Sequence, residues 1–222
     1  MKLTVLLPIY NEERELAACL DRVLASSADE IIAVDDCSTD ATPRILARYR
    51  DPRLRVIRHA QNRGKGGGIQ TALEHATGDY CIIQDADTEY DPRDYAKLLE
   101  PIQQGRAQVV YGARDLSTQP LIGRLGNKFL TMATNVLCGT RLSDMETCYK
   151  VVPTALMREL RLQSRGFEIE PEITAKIARH AVKISQVPEA YTPRPHEKLR
   201  RFHDGFRSLW ALFRYRFADR CV

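Results

Sequence analysis

An α/β fold with a mostly parallel sheet flanked by helices is the class this chain predicts, on three observations. Over the first 112 residues, short apolar runs alternate with stretches whose apolar residues recur every three or four positions, the signature of strands joined by helices. The first run, residues 3–7, is apolar on nearly every position, as a strand covered on both faces must be. Carboxylates cluster directly after several of the runs, at the carboxyl ends of strands, where open sheets of this kind carry their sites.

Taken in order, residues 3–7 form the first strand, and residues 12–24 a helix with Leu16, Cys19, Leu20 and Val23 on one face. Residues 31–34 are a second strand, followed by a helix over 41–49 with Ser38, Thr39 or Asp40 as its cap. A third strand at 54–57, a helix at 68–75 and a fourth strand at 80–83 follow, then a helix at 92–102 and a fifth strand at 107–111. Beyond residue 112 the rhythm changes. Residues 121–137 read as a helix with Leu125, Phe129, Met132 and Val136 on one side. A polar loop at 142–150, helices near 153–160 and 171–180, and a last strand at 183–187 complete the pattern. The chain thus divides into a first half at 1–115, a second at 116–195 and a terminal helix at 196–222.

With 222 residues, 44% of them hydrophobic and 28% charged, the chain can bury a core as an ordinary soluble protein does. No apolar run approaches the roughly 18 residues a membrane-spanning helix needs, and Met1-Lys2-Leu3 leads directly into a strand with no signal peptide. Six cysteines, at 19, 37, 81, 138, 148 and 221, lack any C-x-x-C pair and read as free thiols of a reduced, cytoplasmic protein. The net charge of +4 is uneven. Between Arg194 and Arg220 stand eight basic residues (Arg194, Lys198, Arg200, Arg201, Arg207, Arg214, Arg216 and Arg220) against Glu197, Asp204 and Asp219. A tail this basic points to an anionic partner, a membrane surface or nucleic acid.

Among the motifs, Asp85-Ala86-Asp87 is the most telling. Side chains two apart leave a strand on one face, and two carboxylates so close repel unless a cation separates them. A hard divalent ion held by one or two carboxylates together with substrate phosphates is the usual solution; capping of the turn before Asp91-Pro92 is the other reading. The first strand ends in Pro8-Ile9-Tyr10-Asn11-Glu12-Glu13, where a dinucleotide site would need glycines. Glu12 and Glu13 also suit a first helical turn. Asp35-Asp36 ends the second strand and can accept from a nucleobase and ribose hydroxyls, while Ser38 to Asp40 double as caps. Asn62-Arg63-Gly64-Lys65-Gly66-Gly67-Gly68 reads as a basic, glycine-rich loop before a helix, an anion cradle without Walker or Rossmann spacing.

Together, Pro8-x-Tyr10-Asn11-Glu12, Asp35-Asp36-x-Ser38-x-Asp40, Asn62-x-Gly64-Lys65-Gly66 and Asp85-x-Asp87 fall in order at successive strand ends. This resembles the inverting glycosyltransferase family 2, with its GT-A fold, over about residues 3–115. Val110-Tyr111-Gly112-Ala113-Arg114, residues 144–150 and residues 166–173 resemble the dolichol-phosphate and polyprenyl-phosphate mannose and glucose synthases. The resemblance implies a nucleotide-sugar site at Pro8, Tyr10, Glu12, Asp35, Asp36, Lys65, Gly66, Asp85 and Ala86, with Mg²⁺ or Mn²⁺ on Asp85 and Asp87. It implies catalytic roles for Asp87, Arg114 and Lys150, and an acceptor phosphate held by Arg114, Arg124, Lys150, Arg194 and Lys198. Cys37 and Cys148-Tyr149 depart from the glycine and Gly-Phe common in relatives, and the membrane-spanning helices that some members append are not seen.

The function so implied is inverting transfer of a hexose from GDP-mannose or UDP-glucose to a polyprenyl or dolichyl phosphate. An acceptor that is a sugar hydroxyl, with Asp144 or Glu146 as base, is the alternative. A non-catalytic module binding nucleotide or nucleic acid is a further one, against which the acidic clusters speak. Phe202, Phe206, Leu209, Trp210, Phe213 and Phe217 recur at helical spacing among arginines, the pattern of a helix lying in a membrane surface. Phe202, Phe206, Trp210 and Phe213 are the membrane contacts this reading expects, on the cytoplasmic face; an ordinary terminal helix packing its aromatics on the domain is the competing one.

Overall fold

The computed structural model describes residues 1–119, 121–193 and 201–218. Seven strands form one sheet in the order β3-β2-β1-β4-β6-β5-β7: β1 (Leu3–Ile9), β2 (Glu30–Asp35), β3 (Leu54–Arg58), β4 (Tyr80–Ile83), β5 (Val109–Arg114), β6 (Lys150–Pro153) and β7 (Ile184–Glu189). All neighbours are parallel except β6, which runs antiparallel to β4 and β5. The α/β expectation therefore holds, with one strand added. β6 lies where a polar loop giving way to a helix was expected, because Lys150 opens a strand whose next two members, Val151 and Val152, are fully buried.

Alternation along the strands builds two cores. Val5, Leu7, Ile31, Ala33, Ile82, Val110 and Val151 face one side, packed by α1 (Leu16–Leu24) and α4 (Tyr95–Gln103). Leu6, Ile32, Val34, Ile83, Tyr111 and Val152 face the other, with α3 (Gly64–His75), α5 (Leu121–Cys138), α6 (Thr154–Glu159), α7 (Ile169–Arg179) and α8 (Arg201–Phe213). The remaining helix, α2 (Thr42–Leu46), follows β2. In register, Ile9 lies beside Asp35 and Leu6 beside Ile83. The turns carrying Tyr10, Asp36 and Asp85 consequently emerge along one edge of the sheet.

The glycine-rich segment is not a loop. Its four glycines and Lys65 open α3, which starts at Gly64 and not at residue 68. Glycine is a poor helix former, and close approach explains its use here. A Cβ on Gly66 would lie 2.1 Å from the Ser164 carbonyl oxygen, and one on Gly68 2.8 Å from Cβ of Pro8. The Gly66 N–H donates to the Arg165 carbonyl at 2.7 Å, so this amide is already occupied.

The terminal helix docks on the domain through one face and leaves the other exposed. Ala211 and Leu212 of α8, and Tyr215 in the π turn that follows, are buried, and the Arg216 guanidinium donates to the Leu137 carbonyl of α5. Phe206, Trp210, Phe213 and Phe217 remain more than half exposed. So do Leu121, Leu125, Phe129, Met132 and Val136 of the adjoining α5.

Candidate active site

Asp85-Ala86-Asp87 follows β4 at the sheet edge and is held by a polar node beneath it. Gln84 is fully buried; its carbonyl oxygen accepts from the Tyr95 and Tyr149 hydroxyls at 2.6 and 2.7 Å, and its amide donates to the Asp85 carbonyl at 2.8 Å. Ala86 is buried, and Asp87 is 5% exposed with Oδ1 accepting the Glu89 N–H at 3.0 Å. Glu15 of the turn before α1 clamps the segment by accepting from both the amide and hydroxyl of Thr88. Two hard oxygen donors so placed fit Mg²⁺ or Mn²⁺. No third histidine, cysteine or carboxylate completes a metal cage among the described residues.

From Asp85 a line of alternating charges runs inward. Lys65 Nζ lies 2.7 Å from Asp85 Oδ1 and 3.0 Å from Glu170 Oε1. The other oxygen of Glu170 lies 2.5 Å from Lys150 Nζ, which also donates to the Thr147 carbonyl and sits 5.0 Å from the centre of the Tyr111 ring. Lys150 is completely buried. Glu170, which sequence reasoning missed as a site residue, joins the two halves of the chain. Its only signal was its place in Gly166-Phe167-Glu168-Ile169-Glu170.

The second acidic pair is engaged by the protein itself. Asp36 Oδ1 accepts from the Arg63 N–H and contacts His59 Nδ1 at 2.6 Å, while Oδ2 accepts the Gly64 N–H at 2.7 Å, so Asp36 neutralises the start of α3. Asp35 accepts the Ser38 N–H and pairs with Arg58 at 3.2 Å. Pro8, next to last in β1, lies against Gly68 of α3, and Tyr10 is half exposed. The Glu12 N–H donates to the Thr42 hydroxyl, and Asn11, at φ 53°, links to Ser38 and Thr39.

At the end of β5, the Arg114 guanidinium forms a two-pronged pair with Asp144, at 2.6 and 2.9 Å, and donates to the Tyr90 hydroxyl at 3.2 Å. Burial is countered by Tyr90 and Asp144, which hold Arg114 well above its ordinary range. Burial pushes Glu146 up to about 7. It pushes Glu189 up to about 8, despite a hydrogen bond from the Thr147 hydroxyl. Arg124 is half-buried on α5. Arg194 and Lys198 lie outside the described residues, as does the side chain of Phe202.

These two raised carboxyls set a pH dependence. The folded state keeps protons that the unfolded chain releases near the ordinary value of 4.5, so their contribution is complete below about 4.5 and falls as pH rises towards 8. For Glu189 the loss is on the order of 4 kcal/mol. Carboxyls held low, Glu30, Asp40, Asp51, Asp91 and Asp115, titrate below this window. Thermal melts from pH 5 to 8 are expected to show a falling Tm, with a flatter profile for Glu189→Gln; an unchanged slope would remove Glu189 as its source.

Compared with known proteins, residues 4–141 match the model of the family described as glycosyl transferase family 2. The chain belongs to glycosyl transferase family 2. The low-salt glycan biosynthesis hexosyltransferase Agl6 of Haloferax volcanii is 32% identical, over 92% of this chain and 51% of that protein. The UDP-N-acetylglucosamine–dolichyl-phosphate N-acetylglucosaminyltransferase of Methanococcus voltae is 26% identical over 83% of each. The dolichyl-phosphate beta-glucosyltransferase of Dictyostelium discoideum is 26% identical over 97% of this chain and 74% of that protein. The chain thus spans about half the length of Agl6, and 63% of another Haloferax relative, the glycosyltransferase AglJ. The crystal structure of glucosyl-3-phosphoglycerate synthase from Mycobacterium tuberculosis superposes with a TM-score of 0.79 at 20% identity, covering 97% of this chain and 79% of that one. This confirms the GT-A architecture. Family membership also favours a transferase over the non-catalytic binding module.

Proposed function

We propose that this family 2 transferase moves a hexose, with inversion, from a nucleotide sugar to a polyprenyl or dolichyl phosphate. The observation that carries the reading is the Asp85–Asp87 pair at the sheet edge, backed by the partly buried Lys65 and the fully buried Lys150, with Arg114 at the end of β5. Two relatives named for dolichyl-phosphate acceptors support the acceptor class. Complexes of the mycobacterial synthase with UDP and Mn²⁺ or Mg²⁺ support a nucleoside diphosphate with a divalent ion. Held by Asp85 and Asp87, the ion would neutralise charge on the departing diphosphate.

An acceptor phosphate is anionic at neutral pH and attacks without a general base. The protein's part is to orient and neutralise. Pro8, Tyr10, Glu12, Asp35, Asp36, Lys65, Gly66 and Ala86 shape the donor side within residues 1–115. Arg114, Arg124, Arg194 and Lys198 attract the acceptor phosphate. Lys150 suits a positioning role through Glu170. The exposed apolar rows of α5 and α8, edged by Arg124, Lys128, Arg207 and Arg214, suit peripheral contact with the cytoplasmic face of a membrane. Among the described residues no helix is long and apolar enough to cross one.

Heat-unfolding with UDP and GDP, with and without Mn²⁺, tests the donor site. A metal-dependent rise in Tm with one of them is expected; no rise with either would overturn the reading. A sugar-hydroxyl acceptor is favoured by one observation: Glu146, with its carboxyl near 7 and Oε1 without a hydrogen-bond partner among the described residues, has the properties of a general base. Glu146→Gln separates the two. Turnover within about threefold of the parent fits a phosphate acceptor, and a loss of about 100-fold a hydroxyl.

A further inference from the structure

Lys65 occupies a position that a bound cation would contest. Its ammonium, on the first turn of α3, bridges Asp85 and Glu170 at 2.7 and 3.0 Å. It is 12% exposed, with the ring of Phe167 over it at 5.6 Å. The backbone that carries Asp85 is held in place, its main-chain carbonyl accepting from the Gln84 side-chain amide at 2.8 Å and from the Cys19 thiol at 3.5 Å. Glu170 is fixed in turn by Lys150. A dication at Asp85 and Asp87 would therefore meet the Lys65 ammonium within one carboxylate's reach, and like charges so close repel.

We infer that Lys65 is a built-in counter-cation, which satisfies Asp85 in the metal-free protein and is retained by Glu170 when a divalent ion takes Asp85. This rests on the metal reading of Asp85 and Asp87 proposed above. The exchange needs no swing of the lysine, because both carboxylates already touch it. It makes the site poor for a bare dication. A nucleoside diphosphate brings negative charge that offsets the repulsion, so the site selects metal together with diphosphate. Lys65 is then a positioning residue for the donor, acting through Asp85.

The test is Mn²⁺ titration of the full chain, read by loss of the free aqua-ion's electron paramagnetic resonance signal. Lys65→Met is expected to bind Mn²⁺ alone about tenfold tighter than the parent. Glu170→Gln, which leaves Lys65 with Asp85 as its carboxylate partner, is expected to need about threefold more Mn²⁺ in the presence of UDP or GDP. Opposite effects from the two variants support the exchange. A Lys65→Met protein that binds Mn²⁺ no tighter, or a parent that binds Mn²⁺ equally well with and without diphosphate, overturns it. If Lys65→Met does not fold, Glu170→Gln decides: unchanged or improved Mn²⁺ binding refutes the exchange. A gain in Lys65→Met beside a parent that binds neither nucleotide with metal would uphold the counter-cation and remove only the donor reading.

Discussion

Replacing Asp87 by asparagine is expected to lower turnover about 100-fold or more, comparable to removing one preorganised charge-stabilising group from an active site. The structure makes this substitution a clean probe. Asp87 Oδ1 accepts the Glu89 N–H at 3.0 Å, and an asparagine carbonyl can accept the same bond, so the turn keeps its anchor. What disappears is one of the two negative charges proposed to face a divalent ion. The expected pattern is a melting temperature within about 2 °C of the parent, together with loss of the metal-dependent stabilisation by a nucleoside diphosphate. Full activity in Asp87→Asn would sink the metal assignment. A protein that no longer folds would instead assign Asp87 to the turn before Asp91-Pro92.

The contrast between Asp85-Asp87 and Asp35-Asp36 shows which parts of the site can be read in sequence. Both are carboxylate pairs after apolar strands, and both emerge at the same sheet edge. Asp36, however, spends its oxygens on the Arg63 and Gly64 amides and on His59. Those partners lie 23 to 28 residues away, beyond what local spacing reveals. The strands β1, β2, β4 and β5 were legible because apolar runs covered on both faces have few alternatives. The start of α3 was not, because four glycines argue against a helix until the backbone at 164–166 is seen pressed against it. β6 was hidden for a related reason. A lysine heading a four-residue run looks solvated, and only its pairing with Glu170, brought from α7, permits its burial.

That pairing predicts a large stability effect. Lys150 is completely buried and Glu170 nearly so, at 2.5 Å from each other. Removing one member of such a pair strands the other's charge in a low-dielectric interior, at a cost of about 3–5 kcal/mol. Lys150→Met keeps the volume and the apolar stem but not the ammonium. With roughly 2–4 °C of Tm per kcal/mol in a chain of this size, its melting temperature is expected to fall by about 10 °C. Glu170 keeps Lys65 as a second partner, which moderates the loss but draws Lys65 away from Asp85. Donor binding should therefore change alongside stability, although Lys150 touches neither carboxylate of the Asp85–Asp87 pair. Adding Glu170→Gln to Lys150→Met should recover part of the stability, since no buried carboxylate is then left without its ammonium; a double-mutant coupling of about 2 kcal/mol is expected. Strict additivity would show that the two charges do not depend on each other. A Lys150→Met protein with unchanged Tm and a selectively raised KM for the acceptor would return Lys150 from the interior to the acceptor phosphate.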